Sequence, residues 1–165
     1  MSEITAYIGL GSNLEDPIQQ VRTALRELDQ IKSTKLIKHS SLYKSDPVGP
    51  AGQPDYINAV AEIKTRLKPM TLLHALQSIE QDHQRVRLKR WGPRTLDLDL
   101  LIYADQKIDE PDLIVPHIMI AERSFVLYPL AEIAPDIQIP ELPPMSDLLK
   151  NVSEKGLSKL LSETF

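Results

Sequence analysis

Trp91-Gly-Pro-Arg-Thr-Leu-Asp-Leu-Asp-Leu-Leu-Ile-Tyr103 decides the fold of this chain, because apolar and acidic side chains alternate through its middle with a period of two. In a strand, residues two apart point the same way, with Cα atoms about 6.5 Å apart. Leu96, Leu98 and Leu100 then enter a core while Asp97 and Asp99 stand together on the opposite face. On a helix of about 3.6 residues per turn the two carboxylates would lie about 200° apart and could not cooperate. The expectation is a strand over residues 95–103 whose two faces do different work.

The segments before it supply the partners of that strand. Residues 3–10 alternate well enough to be a first strand, broken by Gly11-Ser-Asn. Asp16 reads as an N-cap, with Pro17 at the first helical position and Gln19 placed to complete a capping box. Ile18, Val21, Leu25 and Leu28 then recur at helical spacing as one apolar stripe. A second strand is expected over 35–43 and a third over 56–65. Asp46-Pro-Val-Gly-Pro-Ala-Gly-Gln-Pro54 between them is too rich in proline and glycine for regular structure. A second helix begins near Pro69, with Leu72, Leu76 and Ile79 on one side and Gln77 and Glu80 on another. The order β-α-β-β-α-β predicts an α+β, ferredoxin-like fold: an antiparallel sheet with two helices on one face and additional helical segments toward the C-terminus. No repeat or linker divides the chain, so residues 1–165 are expected to form one domain.

Composition narrows the function classes. The 165 residues carry a net charge of −4, which weighs against a dedicated nucleic-acid binder. There is no cysteine, which excludes disulfides and thiolate metal sites. Neither a membrane-spanning apolar run nor a signal peptide is evident, so the expected location is the cytoplasm. One stretch breaks the acidic trend: Arg85, Arg87, Lys89, Arg90 and Arg94 occur with no acidic residue among them. A local basic cluster in an acidic protein suits a small anionic ligand.

Asp97 and Asp99 side by side repel unless a proton or a cation intervenes. Magnesium prefers such oxygen ligands and bridges them to substrate phosphates. Taken alone, Asp-x-Asp also fits a solvated strand face, but arginine forks nearby match phosphate oxygens. Together these groups are what a metal–polyphosphate complex needs. Trp91 reads either as core packing or as an aromatic cap over a nucleotide. Tyr56 and Asn58 share a strand face and could hold a flat heterocycle, or be ordinary surface residues. His117, Arg123 and Phe125 add a polar and an aromatic group from a later segment. Neither a P-loop, a dinucleotide fingerprint nor a protein-kinase signature is present, so an ATP site must be built differently.

Tyr7-Ile-Gly-Leu-Gly-Ser-Asn-Leu14, Gly52-Gln-Pro-Asp-Tyr-Ile-Asn-Ala59, Arg90-Trp-Gly-Pro-Arg-Thr-Leu-Asp-Leu-Asp-Leu100, Val115-Pro-His117 and Arg123-Ser-Phe125 occur in order. This set resembles the 6-hydroxymethyl-7,8-dihydropterin pyrophosphokinase family of folate biosynthesis. The resemblance implies transfer of pyrophosphate from ATP to the pterin hydroxymethyl oxygen, leaving AMP. It implies that Asp97 and Asp99 hold two magnesium ions and that Arg85 and Arg94 contact ATP during transfer. Gln77, Glu80, Trp91, His117 and Arg123 fall at ATP-site positions. By the same resemblance Tyr56 and Phe125 sandwich the pterin, Asn58 pairs with its polar edge, and Ser45 and Val48 offer backbone contacts. Loops over 47–53 and 86–91 match loops that close over bound ATP, and a monomer is implied. Ile118 stands where some relatives carry tyrosine, which removes a polar or stacking contact. The rival from another class, a ferredoxin-like RNA-binding module, lacks the sheet aromatics of an RNP pattern. Residues beyond 135 carry no usable motif.

Overall fold

The computed structural model describes residues 2–13, 16–46, 55–85 and 96–160. In chain order it has β1 (Ile4–Ser12), α1 (Pro17–Leu28), β2 (Thr34–His39), β3 (Tyr43–Ser45), β4 (Tyr56–Thr65), α2 (Pro69–Arg85) and β5 (Asp97–Tyr103). A small hairpin of β6 (Ile108–Glu110) and β7 (Leu113–Val115) follows, then a 3-10 turn over Ile120–Glu122. The chain continues through α3 (Ser124–Ile133), α4 (Met145–Lys150) and β8 (Leu157–Lys159).

The main sheet runs β5-β1-β4-β3-β8, with β2 also paired to β4. Every pairing is antiparallel. Counting β2 and β3 as one interrupted strand, the order is fourth-first-third-second, so the α+β, ferredoxin-like expectation holds. One face of the sheet buries Ala6, Ile8, Leu10, Leu98 and Leu100 against Val21, Leu25 and Leu28 of α1 and Leu72, Leu76 and Ile79 of α2. Leu96 is fully buried in the same core just before β5 begins. The alternation that defined β5 therefore serves the purpose expected of it.

Four local expectations are corrected. The single strand over 35–43 is two strands, because Ser40 interrupts the ladder with β4. Its amide donates to Val60 O at 2.8 Å, and its hydroxyl accepts the Val60 amide at 3.0 Å. The side chain thus replaces a backbone acceptor, and the chain bends there. Asp16 makes no side-chain cap, since it sits in the left-handed region (φ 62°). Gln19 bonds Thr23 instead of closing a capping box. Ile18 is 36% exposed, and Ala24 takes the remaining place in the buried stripe of α1. The opposite sheet face is also roofed in part, since Tyr7, Val60, Leu101 and Ile102 pack against Val126, Leu127 and Leu130 of α3 and Met145 and Leu148 of α4.

Glu132 fastens this roof to the sheet. It accepts hydrogen bonds from the Ser41 amide at 2.9 Å, the Ser41 hydroxyl at 3.0 Å and the Tyr43 hydroxyl at 2.6 Å. Lys159 of β8 stands 3.8 Å away. Burial works to raise the Glu132 pKa, but the donors and Lys159 prevail and hold it below its ordinary value of 4.5. The unfolded chain therefore binds the extra proton, so this stabilisation is present above pH 4.5 and fades as pH falls through the depressed native value. Glu132→Gln should lower stability at pH 7 by about 1 kcal/mol, allowing for solvent screening. The gap to wild type in denaturant midpoint should close on acidification; a gap independent of pH would deny the carboxylate this role.

Candidate active site

Two missing side chains make the floor of a concavity on the open face of β1. On β1 the face opposite the α1–α2 core carries Tyr7, then Gly9 and Gly11. Gly11 lies between Asn58 of β4 and Asp97 of β5, while Gly9 lies between Val60 and Asp99. A Cβ on Gly11 would come within 3.3 Å of Asn58 Oδ1, and one on Gly9 within 3.4 Å of Leu101. The glycines thus leave a trough of about 460 Å³ with Asp97 and Asp99 on one bank and Tyr56 and Asn58 on the other.

The walls come from both ends of the chain. Ser45 and Asp46 close the trough beside Tyr56, and Met119, Glu122, Arg123, Phe125 and Val126 descend from α3 and the turn before it. Asn58 is buried and donates from Nδ2 to Ser45 Oγ at 2.7 Å, which fixes the plane of its amide. The Arg123 guanidinium stands 5.6 Å from the centre of the Phe125 ring. That contact presents a cation and an aromatic face to the same cavity.

A second cavity of about 280 Å³ meets the first at Asp99. Its walls are mostly apolar, including Leu73, Leu98, Leu100, Leu113 and Ile114, with Asp112 and His117 as further polar residues. His117 is placed by a bulge in β5, where Leu101 falls between the register pairs Tyr7–Ile102 and Ile8–Leu100. The Leu101 carbonyl accepts the His117 amide at 2.9 Å. His117 Nδ1 accepts the Met119 amide at 3.1 Å, so the neutral ring carries its proton on Nε2. Burial lowers the imidazole pKa from 6.5; Asp99 pulls it upward and Arg123 pushes it further down.

Glu80 reaches the site from behind. This carboxylate is 7% exposed and accepts the Leu98 amide at 2.8 Å, midway between the two aspartates. Among the described residues β5 pairs with the sheet along β1 alone, so the bond satisfies an outward amide and ties the strand to α2. Gln77 is exposed on α2 and lines neither cavity. Asp97, Asp99, His117, Arg123, Ser45, Tyr56, Asn58 and Phe125 are brought together around the two cavities. Val48, Trp91 and Arg94 lie outside the described residues, as does the side chain of Arg85. Sequence reasoning missed Gly9 and Gly11, whose signal was a Gly-x-Gly inside a strand with no turn to explain it. It also missed the apolar lining of the second cavity, which reads as ordinary core. Ile118 lies at that cavity, 71% exposed.

Residues 7–135 match the family model described as 7,8-dihydro-6-hydroxymethylpterin-pyrophosphokinase. A Haemophilus influenzae protein named 2-amino-4-hydroxy-6-hydroxymethyldihydropteridine pyrophosphokinase is 48% identical over 157 residues, covering 95% of this chain and 98% of its own. A Pseudomonas aeruginosa protein of the same name is 47% identical over 154 residues, covering 93% and 95% respectively. Among solved structures, wild-type Plasmodium falciparum HPPK-DHPS with pterin and p-hydroxybenzoate superposes with a TM-score of 0.72 at 16% identity. The match covers 90% of this chain and 43% of that longer one, and at such identity it speaks to the fold alone.

Glu80→Ala should leave the Leu98 amide without its acceptor and cost about 2 kcal/mol in chemical denaturation. A loss within error of zero would remove this bond from the frame that holds Asp97 and Asp99.

Proposed function

This chain belongs to the 7,8-dihydro-6-hydroxymethylpterin-pyrophosphokinase family, and from that premise we propose how its residues carry out the family's reaction. The enzyme transfers pyrophosphate from ATP to the hydroxymethyl group of 6-hydroxymethyl-7,8-dihydropterin in folate biosynthesis, leaving AMP. The larger cavity takes the pterin and the smaller, apolar cavity takes the adenine end of ATP. The observation that carries this division is that Asp99 lines both cavities, so a triphosphate running from one to the other passes the carboxylate pair.

Tyr56 and Phe125 stack on the two faces of the pterin ring. Asn58, its amide oriented by Ser45, pairs with the ring's polar edge. The backbone at Ser45 and Val48 adds further contacts. His117 offers Nε2–H and Arg123 its guanidinium to phosphate oxygens, in a partly buried site where each is worth more than in water. Arg85, Arg94, Gln77 and Trp91 complete the ATP contacts. Glu80 acts through the backbone of β5.

Asp97 and Asp99 fit magnesium: both are acceptor-only oxygen ligands on one strand face, and two protein carboxylates leave positions for waters and phosphate oxygens. Two such ions, when bound, neutralise the triphosphate and lower the pKa of the acceptor hydroxyl. The chain's own residues align the hydroxymethyl oxygen with the β-phosphorus and exclude water, and no covalent enzyme intermediate is needed. No helix among the described residues is long and apolar enough to cross a membrane. Residues 1–165 acting as one catalytic domain, monomeric and in the cytoplasm, complete the reading.

Mixing the protein with ATP, magnesium and the hydroxymethyl pterin should yield AMP and pterin diphosphate in equal amounts; ADP would overturn the reading. Asp97→Ala and Asp99→Ala should each cut kcat by at least about a thousandfold with the fold intact. Near-normal turnover would remove the pair from metal binding. Gly11→Ala should raise the pterin KM well above its effect on the ATP KM, because the added methyl meets Asn58. Equal effects on both would deny the trough to the pterin.

A further inference from the structure

The segment after α4 returns to the sheet at its β3 edge. β8 pairs with β3 in the register Tyr43–Lys159, Lys44–Ser158 and Ser45–Leu157. The ladder continues past both ends: Leu160 donates to Leu42 O at 2.9 Å, and Asp46 donates to Gly156 O at 3.0 Å. Gly156 is therefore opposite Asp46, a residue that lines the larger cavity.

Gly156 is needed there on two counts. Its φ of 81° lies in the region that side chains avoid. A Cβ built on it would stand 2.4 Å from Asp46 Oδ2 and 3.0 Å from Asp46 Cγ, so the Asp46 carboxylate would have to swing away from it. The Asp46 carboxylate thus lies directly against the Gly156 backbone, and that position is available only because no side chain fills it. From Asp46 the contacts run inward. The preceding residue, Ser45, accepts the Asn58 amide at 2.7 Å, and Asn58 Oδ1 lies over Gly11 on the floor.

We propose that Gly156 is a positioning residue for the acceptor cavity: the turn before β8 braces Asp46, and through Ser45 it sets the amide of Asn58. The inference rests on the assignment of the larger cavity to the pterin. It gives the C-terminal segment a part in substrate binding although none of its side chains from 153 to 160 lines that cavity. The brace touches the pterin end of the site alone, since no residue of the second cavity belongs to β3, β4 or β8.

The test measures KM for pterin and for ATP separately, with kcat and thermal unfolding, in Gly156→Ala, Asp46→Ala and Asn58→Ala. Gly156→Ala should raise the pterin KM about tenfold while the ATP KM stays within about twofold. Asp46→Ala keeps the glycine and its backbone conformation, so it should fold, and it should shift the pterin KM in the same direction. It decides the matter if Gly156→Ala does not fold. An unchanged pterin KM in folded Gly156→Ala and Asp46→Ala, with a raised one in Asn58→Ala, would overturn the brace and leave the cavity assignment standing. An equal rise for both substrates would also overturn it, as a general loosening. An unchanged pterin KM in Asn58→Ala would overturn the cavity assignment and the inference with it.

Discussion

β1 is hydrogen-bonded on both sides, to β4 and to β5, and this double pairing leaves it no freedom to shift. Whatever stands on its upper face must share the space between Asp97 and Asp99 on one flank and Asn58 on the other. Any side chain at Gly9 or Gly11 would fill the trough, so the cavity is defined by an absence on a strand held rigid by its neighbours. β5 is anchored by the β1 ladder within the sheet and by the Glu80 bond to the Leu98 amide, so the backbone that carries Asp97 and Asp99 is held from two sides. Two carboxylates on one strand face are the kind of oxygen ligands that hard cations favour.

The two faces of the sheet divide the labour. The α1–α2 face is apolar and closed, and its burial supplies the stability on which the other face draws. Among the described residues the second face is covered by α3 and α4, against Tyr7, Val60, Leu101 and Ile102. Beside that cover the polar residues gather around the trough. The bulge at Leu101 marks the boundary: on one side β5 packs under α3, and on the other it carries the aspartates. His117 hangs from the bulged carbonyl and so is fixed in the wall of the second cavity.

What could be read in the sequence follows from how each feature is encoded. The alternation in residues 96–100 was legible because burial imposes a strict period of two, and every leucine in it is buried as expected. The stripe of α1 was legible for the same reason, save that Ile18 lies at the helix start, beyond the reach of the sheet. The grouping of Asp97, Asp99, Tyr56, Asn58, His117, Arg123 and Phe125 was legible through the resemblance of ordered motifs, since they are scattered over β4, β5, α3 and the segment before α3. The Ser40 interruption was not, since a serine hydroxyl replacing a backbone acceptor leaves no mark in hydropathy. Nor was the choice of Asp16 for a left-handed backbone over a side-chain cap, as either conformation suits aspartate.

The segment beyond α4 illustrates the limit most plainly. It meets the site through backbone hydrogen bonds to Leu42, Asp46 and the residues of β3, and such bonds ask nothing of side-chain identity. Among its described residues, the position that favours the lack of a Cβ is Gly156, whose φ of 81° side chains avoid. A single glycine near the end of a chain looks like any turn. Its meaning depends on Asp46, more than a hundred residues earlier, which itself reads as the start of a loop. Constraints of this kind are set by the close approach of a distant residue's side chain to the backbone, and a sequence records them as small residues whose reason lies elsewhere in the fold. The same logic governs Gly9 and Gly11 on the floor and Gly156 at the rim, so the site is shaped at both limits by side chains that are not there.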